Sequence, residues 1–153
     1  MTPRAAQVDG PVLGLDVGDR RIGLACSDPT GLLASPLGVW RRLDEERDVQ
    51  HIVAMAQEHE VRVVVVGLPI NMNGTEGPQA EKTRRFAECL QRAGLHVVLW
   101  DERLTTVEAT RMLQERGMRA KRIPHHVDEA AAVLILEAYL ASLGNRPQAW
   151  TPV

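Results

Sequence analysis

Aromatic residues are scarce in this chain. One Phe, one Tyr and three Trp among 153 residues offer few platforms on which unstacked bases could lie. A nucleic-acid partner would therefore be read through its backbone and shape. Only two cysteines occur, Cys26 and Cys89, with no metal-ligand spacing and no disulfide framework, so reduced thiols in a cytoplasmic protein are expected. No apolar run approaches the ~20 residues of a membrane span, and Met1 to Gly10 lacks the apolar core of a signal peptide. Neither membrane insertion nor secretion is expected. Net charge is small as well, at -2, so the molecule as a whole has no field that would draw a polyanion. Attraction of that kind has to come from local clusters. These are Arg116, Arg119, Lys121 and Arg122 followed by His125 and His126, then Arg20 with Arg21, Arg41 with Arg42, and Lys82 with Arg84 and Arg85. Each cluster taken alone reads as a solvated face.

What is present suits one globular domain, with 44% hydrophobic and 25% charged residues and a length sufficient to bury a core without staples. Pro11 to Val17 (PVLGLDV) reads as a buried strand, turned through Gly18-Asp19 into a second at Arg21 to Ser27. Leu32 to Trp40 reads as a third, with Pro36 at an edge or bulge. Asp44 caps a helix with Val49, Ile52, Val53 and Ala56 at helical spacing. Val61 to Val66 (VRVVVV) is a strand buried on both faces, as in a parallel sheet. A flexible polar loop, Gly67 to Gly77, leads to a helix that starts at Pro78, carries Thr83, Phe86, Ala87 and Leu90 on one stripe, and stops at Gly94. Leu95 to Trp100 is the fifth strand, Thr105 with Glu108 forms a capping box, and a last helix runs from about His126 to Leu143, ended by Gly144.

Residues 1–10 are thus expected as a flexible N-terminus, 11–144 as the domain, and 145–153 as a loose tail. A three-strand meander followed by β-α alternation is the order of a ribonuclease H-like α/β fold: a five-stranded mixed sheet flanked by helices.

Most acids lie on helix exteriors. Asp16 instead lies inside an apolar strand, where a charge is costly unless paired or bound to a cation; a turn-forming aspartate before Gly18 is the simpler reading. Asp101 and Glu102 close the fifth strand, at the sheet edge where ligands gather in α/β proteins. Asp128 shares a helical face with Ala132, Ile135 and Tyr139, while Glu137 on the opposite face marks solvent. Carboxylates from three distant segments suit Mg²⁺ or Mn²⁺, which prefer oxygen ligands. Paired hard cations activate water and stabilise the leaving oxygen in phosphodiester hydrolysis. Convergence of these acids requires a sheet with strands one and five near its centre.

GLDVGDRRIGLACSD (Gly14 to Asp28), VVVVGLPINMNGTEGP (Val63 to Pro78), DERLTT (Asp101 to Thr106) and VDEAAAVLIL (Val127 to Leu136) resemble the four motif blocks of the YqgF, or RuvX, family. The likeness spans roughly Val12 to Leu140. It implies an RNase H-like, Holliday junction resolvase-like nuclease associated with maturing the 5′ end of pre-16S ribosomal RNA. It also implies Asp16, Glu102 and Asp128 as metal-binding catalytic acids, with Asp101 as a further candidate ligand. One departure stands out. Related nucleases place an acid near the fourth strand, where this chain has Gly67-Leu68-Pro69, so the middle acid has moved to the end of strand five.

Around these acids, Arg20, Arg21, Lys82, Arg85, Arg103, Thr105 and His126 are candidates for substrate phosphates. Ion pairing for the arginines and capping for Thr105 are the plainer readings. The expected partner is nucleic acid, RNA ahead of DNA, bound by a monomer or a homodimer; junction resolution would need two symmetric sites. The alternatives are a resolvase of branched DNA and a binding module without catalysis.

Overall fold

The computed structural model describes residues 10–105 and 127–150, with side chains of the last helix described from 129 to 143. Its strands are β1 (Val12–Val17), β2 (Arg21–Ser27), β3 (Ala34–Arg41), β4 (Val63–Leu68) and β5 (Val97–Asp101). The helices are α1 (Glu45–Glu58), α2 (Pro78–Arg92) and α3 (Val127–Trp150). The five strands form one sheet in the order β3-β2-β1-β4-β5. The β1-β2 and β2-β3 pairs are antiparallel, and β1-β4 and β4-β5 are parallel. This is the mixed sheet that the element order predicts.

One expectation about its layout is corrected: β1 is central but β5 lies at the edge. The reason is β4. Val64, Val65 and Val66 are all buried, so β4 needs a helical layer on both faces, and its backbone pairs in parallel with β1 on one side and β5 on the other. It takes the inner place, and the shorter β5 closes the row.

Alternation along β1 sorts the core into two layers. Leu13, Leu15 and Val17 join Ile22, Leu24, Val64, Val66, Ile52, Phe86 and Leu90 beneath α1 and α2. Val12 points the other way and joins Ala25, Val65, Ala132, Ile135, Leu136 and Leu140 beneath α3. Asp16 has the parity of Val12 and Gly14, hence the α3 face. Gly14 lets that helix come close. A Cβ there would lie 2.9 Å from Leu136 Cβ and 3.1 Å from the Ala132 carbonyl oxygen.

Local signals explain the element ends. The Asp44 carboxylate accepts the Arg47 N–H at 2.8 Å and starts α1; Pro78 opens α2, and Gly94 turns away from it with φ +102°. Pro36 stands on the edge strand β3. There Leu24 pairs with Gly38 and Ala25 with Pro36, so one extra residue bulges.

Three further readings change. Helix α3 continues past Gly144 to Trp150; a single interior glycine costs only about 1 kcal/mol and does not stop a helix alone, although Pro147 removes one backbone bond from the last turns. Glu137 is half-buried, with one carboxylate oxygen shielded from solvent; α3 is apolar almost all round, so it offers no clean polar face. The segment after β4 is a built turn. Ile70 and Glu76 bridge, the Asn71 N–H donates to the Thr75 carbonyl, and the Asn73 carboxamide oxygen accepts from both the Thr75 N–H and its hydroxyl. Among the described residues, no helix is long and apolar enough to cross a membrane.

Candidate active site

The site is a row across the carboxyl end of the sheet, on the α3 face. Asp16 pairs with Gly23 on β2. On β4, one step past the Leu15–Val66 pair, lies Gly67, which in turn pairs with Trp100. Asp16 therefore has a glycine on either side, and the lack of two side chains leaves a hollow around its carboxylate.

Glu102 fills that hollow from the β5 side. It is the first residue of a helical segment that begins where β5 ends and is described as far as Thr105. A Cβ on residue 67 would lie 2.7 Å from Glu102 Oε2, 3.1 Å from its Cγ, and 2.5 Å from Ile135 Cδ1. The sequence departure at Gly67 thus has a steric meaning: the strand gives up a side chain where a carboxylate from the next strand needs the room. Burial, then the charge of Asp16, then that of Asp101 push the Glu102 pKa up to about 7. Two carboxylates in one partly dry hollow are mutually unfavourable. A divalent cation would relieve the conflict, so the donor set fits a hard metal.

Asp101 and Arg103 are occupied with each other. Arg103 Nη2 donates to Asp101 Oδ2 at 2.7 Å and its Nε is 3.1 Å from both oxygens, while the Arg103 backbone N–H donates to Oδ1 at 2.9 Å. The guanidinium holds the Asp101 carboxyl below its usual range. Arg103 Nη1 lies on the side of the 70–76 turn, 4.0 Å from where a Cβ on Gly74 would sit. Thr105 does not start the helix, which begins three residues earlier. It is buried, and its hydroxyl accepts the Trp100 indole N–H at 2.7 Å.

On the other face, Lys82 and Arg85 line a shallow groove with Asp19 and Phe86; Lys82 Nζ is 3.4 Å from Asp19 Oδ1, both largely exposed. Arg20 is exposed in the β1–β2 turn, and Arg21 is exposed at the start of β2. The structure thus brings Asp16 and Glu102 together, with Asp101 and Arg103 beside them. The Asp128 side chain, His125, His126 and the basic segment 116–122 lie outside the described residues. Position 128 opens α3 one turn before Ala132, whose carbonyl crosses Gly14. Among the described residues no three metal-capable side chains cluster.

Sequence reasoning missed Asp48. Its side chain is 1% exposed, and it accepts from Trp40 Nε1, Arg42 Nε and the Leu43 N–H, each at 2.9 Å. Arg42 also donates to the Gly18 carbonyl at 2.9 Å and lies 5.0 Å from the Phe86 ring centre. Arg42 is therefore an internal strut under the turn that follows Asp16, and no solvated face. The only signal in the sequence was an acid at the inward helical spacing of Ile52 and Ala56.

The family model described as RuvX, Holliday junction resolvase, matches residues 10–142. The chain belongs to the RuvX family. A relative from Thermoanaerobacter pseudethanolicus, provisionally named a pre-16S rRNA nuclease, is 49% identical over 88% of this chain and 99% of its own. One of the same provisional name from Halalkalibacterium halodurans is 47% identical over 84% and 94%. Among solved structures, T. thermophilus RuvC in complex with a Holliday junction substrate superposes with TM-score 0.59 at 18% identity, over 88% of this chain and 96% of that one. The yeast mitochondrial Holliday junction resolvase Ydc2 gives 0.58 at 10% identity, over 95% and 87%. At such identities the likeness establishes the fold, that of RuvC-like RNase H domains.

Proposed function

We propose that this RuvX-family chain is a divalent-metal-dependent nuclease acting at the 5′ end of pre-16S ribosomal RNA. The observation that carries the reading is the Asp16–Glu102 pair. Two carboxylates share a hollow shaped by Gly67, and burial, with the charges of Asp16 and Asp101 added to it, raises the Glu102 pKa to about 7. That arrangement is poor for a resting protein and good for a cation. Asp16, Glu102 and Asp128 would hold Mg²⁺ or Mn²⁺, and Asp128 enters the set through the family motif. When bound, the metal would supply Lewis-acid chemistry, making the phosphate more electrophilic and water easier to deprotonate.

The protein's own groups do the rest. Asp16, fixed within β1, and Glu102, fixed on its helical turn, present oxygens from two directions. Arg103 Nη1, Arg20 and Arg21 provide positive charge beside the acids for phosphate oxygens, while Lys82 and Arg85, on the other face of the sheet, offer a separate contact for the backbone. As water adds to phosphorus and gives up a proton, the bridging P–O bond breaks and its oxygen leaves with the bonding pair and takes up a proton, so none is consumed overall. With few aromatics, recognition rests on backbone contacts.

The test is incubation of the purified protein with labelled pre-ribosomal RNA and, separately, a four-way DNA junction, with Mg²⁺ or Mn²⁺, beside Asp16→Asn. Cleavage of the RNA by the wild type, lost in Asp16→Asn with binding retained, supports the proposal. Cutting of the junction alone would make it a DNA resolvase. Binding without any cutting would make it a module without catalysis.

A further inference from the structure

Asp101 adjoins Glu102, and adjacent carboxylates invite assignment to one cation. Three observations oppose that. Strand alternation sets Asp101 on the side of Val97 and Leu99, which pack beneath α1 and α2, whereas Val98 and Trp100 pack beneath α3. Its strand partner is Leu68, while Gly67 of the hollow pairs with Trp100. Both of its oxygens are engaged by Arg103, through the guanidinium and the backbone N–H.

Those bonds have a different use. Residues 102–105 form the first turn of a helical segment, whose first N–H groups have no partner within it. Asp101 stands at the N-cap, and Oδ1 takes the N–H of Arg103, the second residue of the turn. Glu102 lies between cap and clasp, so its backbone cannot rotate without breaking one of them. On the far side its carboxylate rests in the space left at Gly67.

We infer that Asp101 is a positioning residue for Glu102 and does not ligate the metal. This rests on the nuclease reading for what Glu102 does, and on geometry alone for how Asp101 holds it. The role predicts an unusual order of substitutions. The charge that a carboxylate ligand gives a metal is lost in Asn, Ser and Ala alike, whereas a cap is kept by Asn or Ser and lost in Ala.

The experiment uses the full chain as wild type, Asp101→Asn, Asp101→Ser and Asp101→Ala. The ¹³C carboxyl resonance of Glu102 is recorded without metal at a pH well above its raised pKa, so that every variant holds it ionised, and the Kd for Mn²⁺ alone is measured by calorimetry. Asn and Ser should leave the resonance in place and Mn²⁺ affinity within about threefold. Ala should move the resonance toward that of exposed glutamates and weaken Mn²⁺ by about tenfold, the size seen when a ligand loses its supporting partner. Should Ala fail to fold, the Asn and Ser variants still decide. A tenfold loss in Asn and Ser with the Glu102 resonance unmoved would overturn the inference and make Asp101 a ligand. Absence of Mn²⁺ binding in every protein would sink the nuclease reading instead, with the Glu102 resonance still judging the positioning role.

Discussion

Gly67 and Glu102 exclude each other by one carbon atom: a methyl group on residue 67 would meet Glu102 Oε2 at 2.7 Å. The acid that cannot stand on β4 is replaced by one that leans over it, and the strand must stay bare for this to work. Gly67→Ala should therefore reduce kcat by about a hundredfold, as a misplacement of about 1 Å at a reacting centre does. The fold should lose only about 1–3 kcal/mol through overpacking. Adding Ile135→Val removes the 2.5 Å contact with Cδ1 and should restore stability but not kcat. Recovery of kcat in the double variant would show that the helix, and not the carboxylate, suffers.

Glu102 gives the protein a pH signature. Its folded pKa, about 7, lies above the ordinary 4.5, so the native state keeps a proton that the unfolded chain releases. Stability without metal should fall as pH rises from about 4.5 to 7, by on the order of 2 kcal/mol once solvent screening of the half-buried group is allowed for. Mn²⁺ requires the ionised form and should bind more tightly across the same window. Urea unfolding at several pH values checks the first claim, and Glu102→Gln should flatten the curve. A wild-type curve already flat there would refute it.

Asp48 has the opposite sign. Burial works against its charge, but the Leu43 N–H, Trp40 and Arg42 together outweigh it and hold its pKa below the ordinary 3.8. The stability it lends is present above about pH 4 and fades as pH falls through the lowered native value. Asp48→Ala strands three donors and should cost about 3 kcal/mol in urea unfolding. A loss below about 1 kcal/mol, within the range of a surface ion pair, would mean the network is ornamental.

Lys82 and Arg85 should act on binding alone. Each change to Ala is expected to lower the salt slope of RNA affinity by about one and to leave single-turnover cleavage at saturation unchanged. Equal slopes for wild type and variants would remove the groove from the substrate path. The Lys82–Asp19 pair is exposed, and breaking it should cost little stability.

Legibility followed the physics of each signal. The strands of the meander, the Asp44 cap, Pro78 and the stripe through Phe86 and Leu90 were readable because local chemistry determines them. Asp16 stood out because a charge inside the apolar run VLGLDV is costly unless paired or bound to a cation. The order of the inner strands was hidden, since a continuous apolar run says that β4 is covered and not by whom. Asp48 was hidden because an acid on a helix looks exposed until its donors arrive from Trp40, Arg42 and Leu43. Gly67 could be noted as a departure, but its purpose depends on a side chain 35 positions away.

Gly14 carries a consequence of another kind. Helix α3 rests on it at near backbone contact, so residue 14 acts as a shim that fixes how high the helix rides above the sheet. Asp16 is part of the sheet and position 128 is part of the helix. The height of that shim therefore sets the gauge between them. A single methyl group at residue 14, touching none of the acids, would lift position 128, which the proposed function places in the site, away from Asp16 as one piece with its helix.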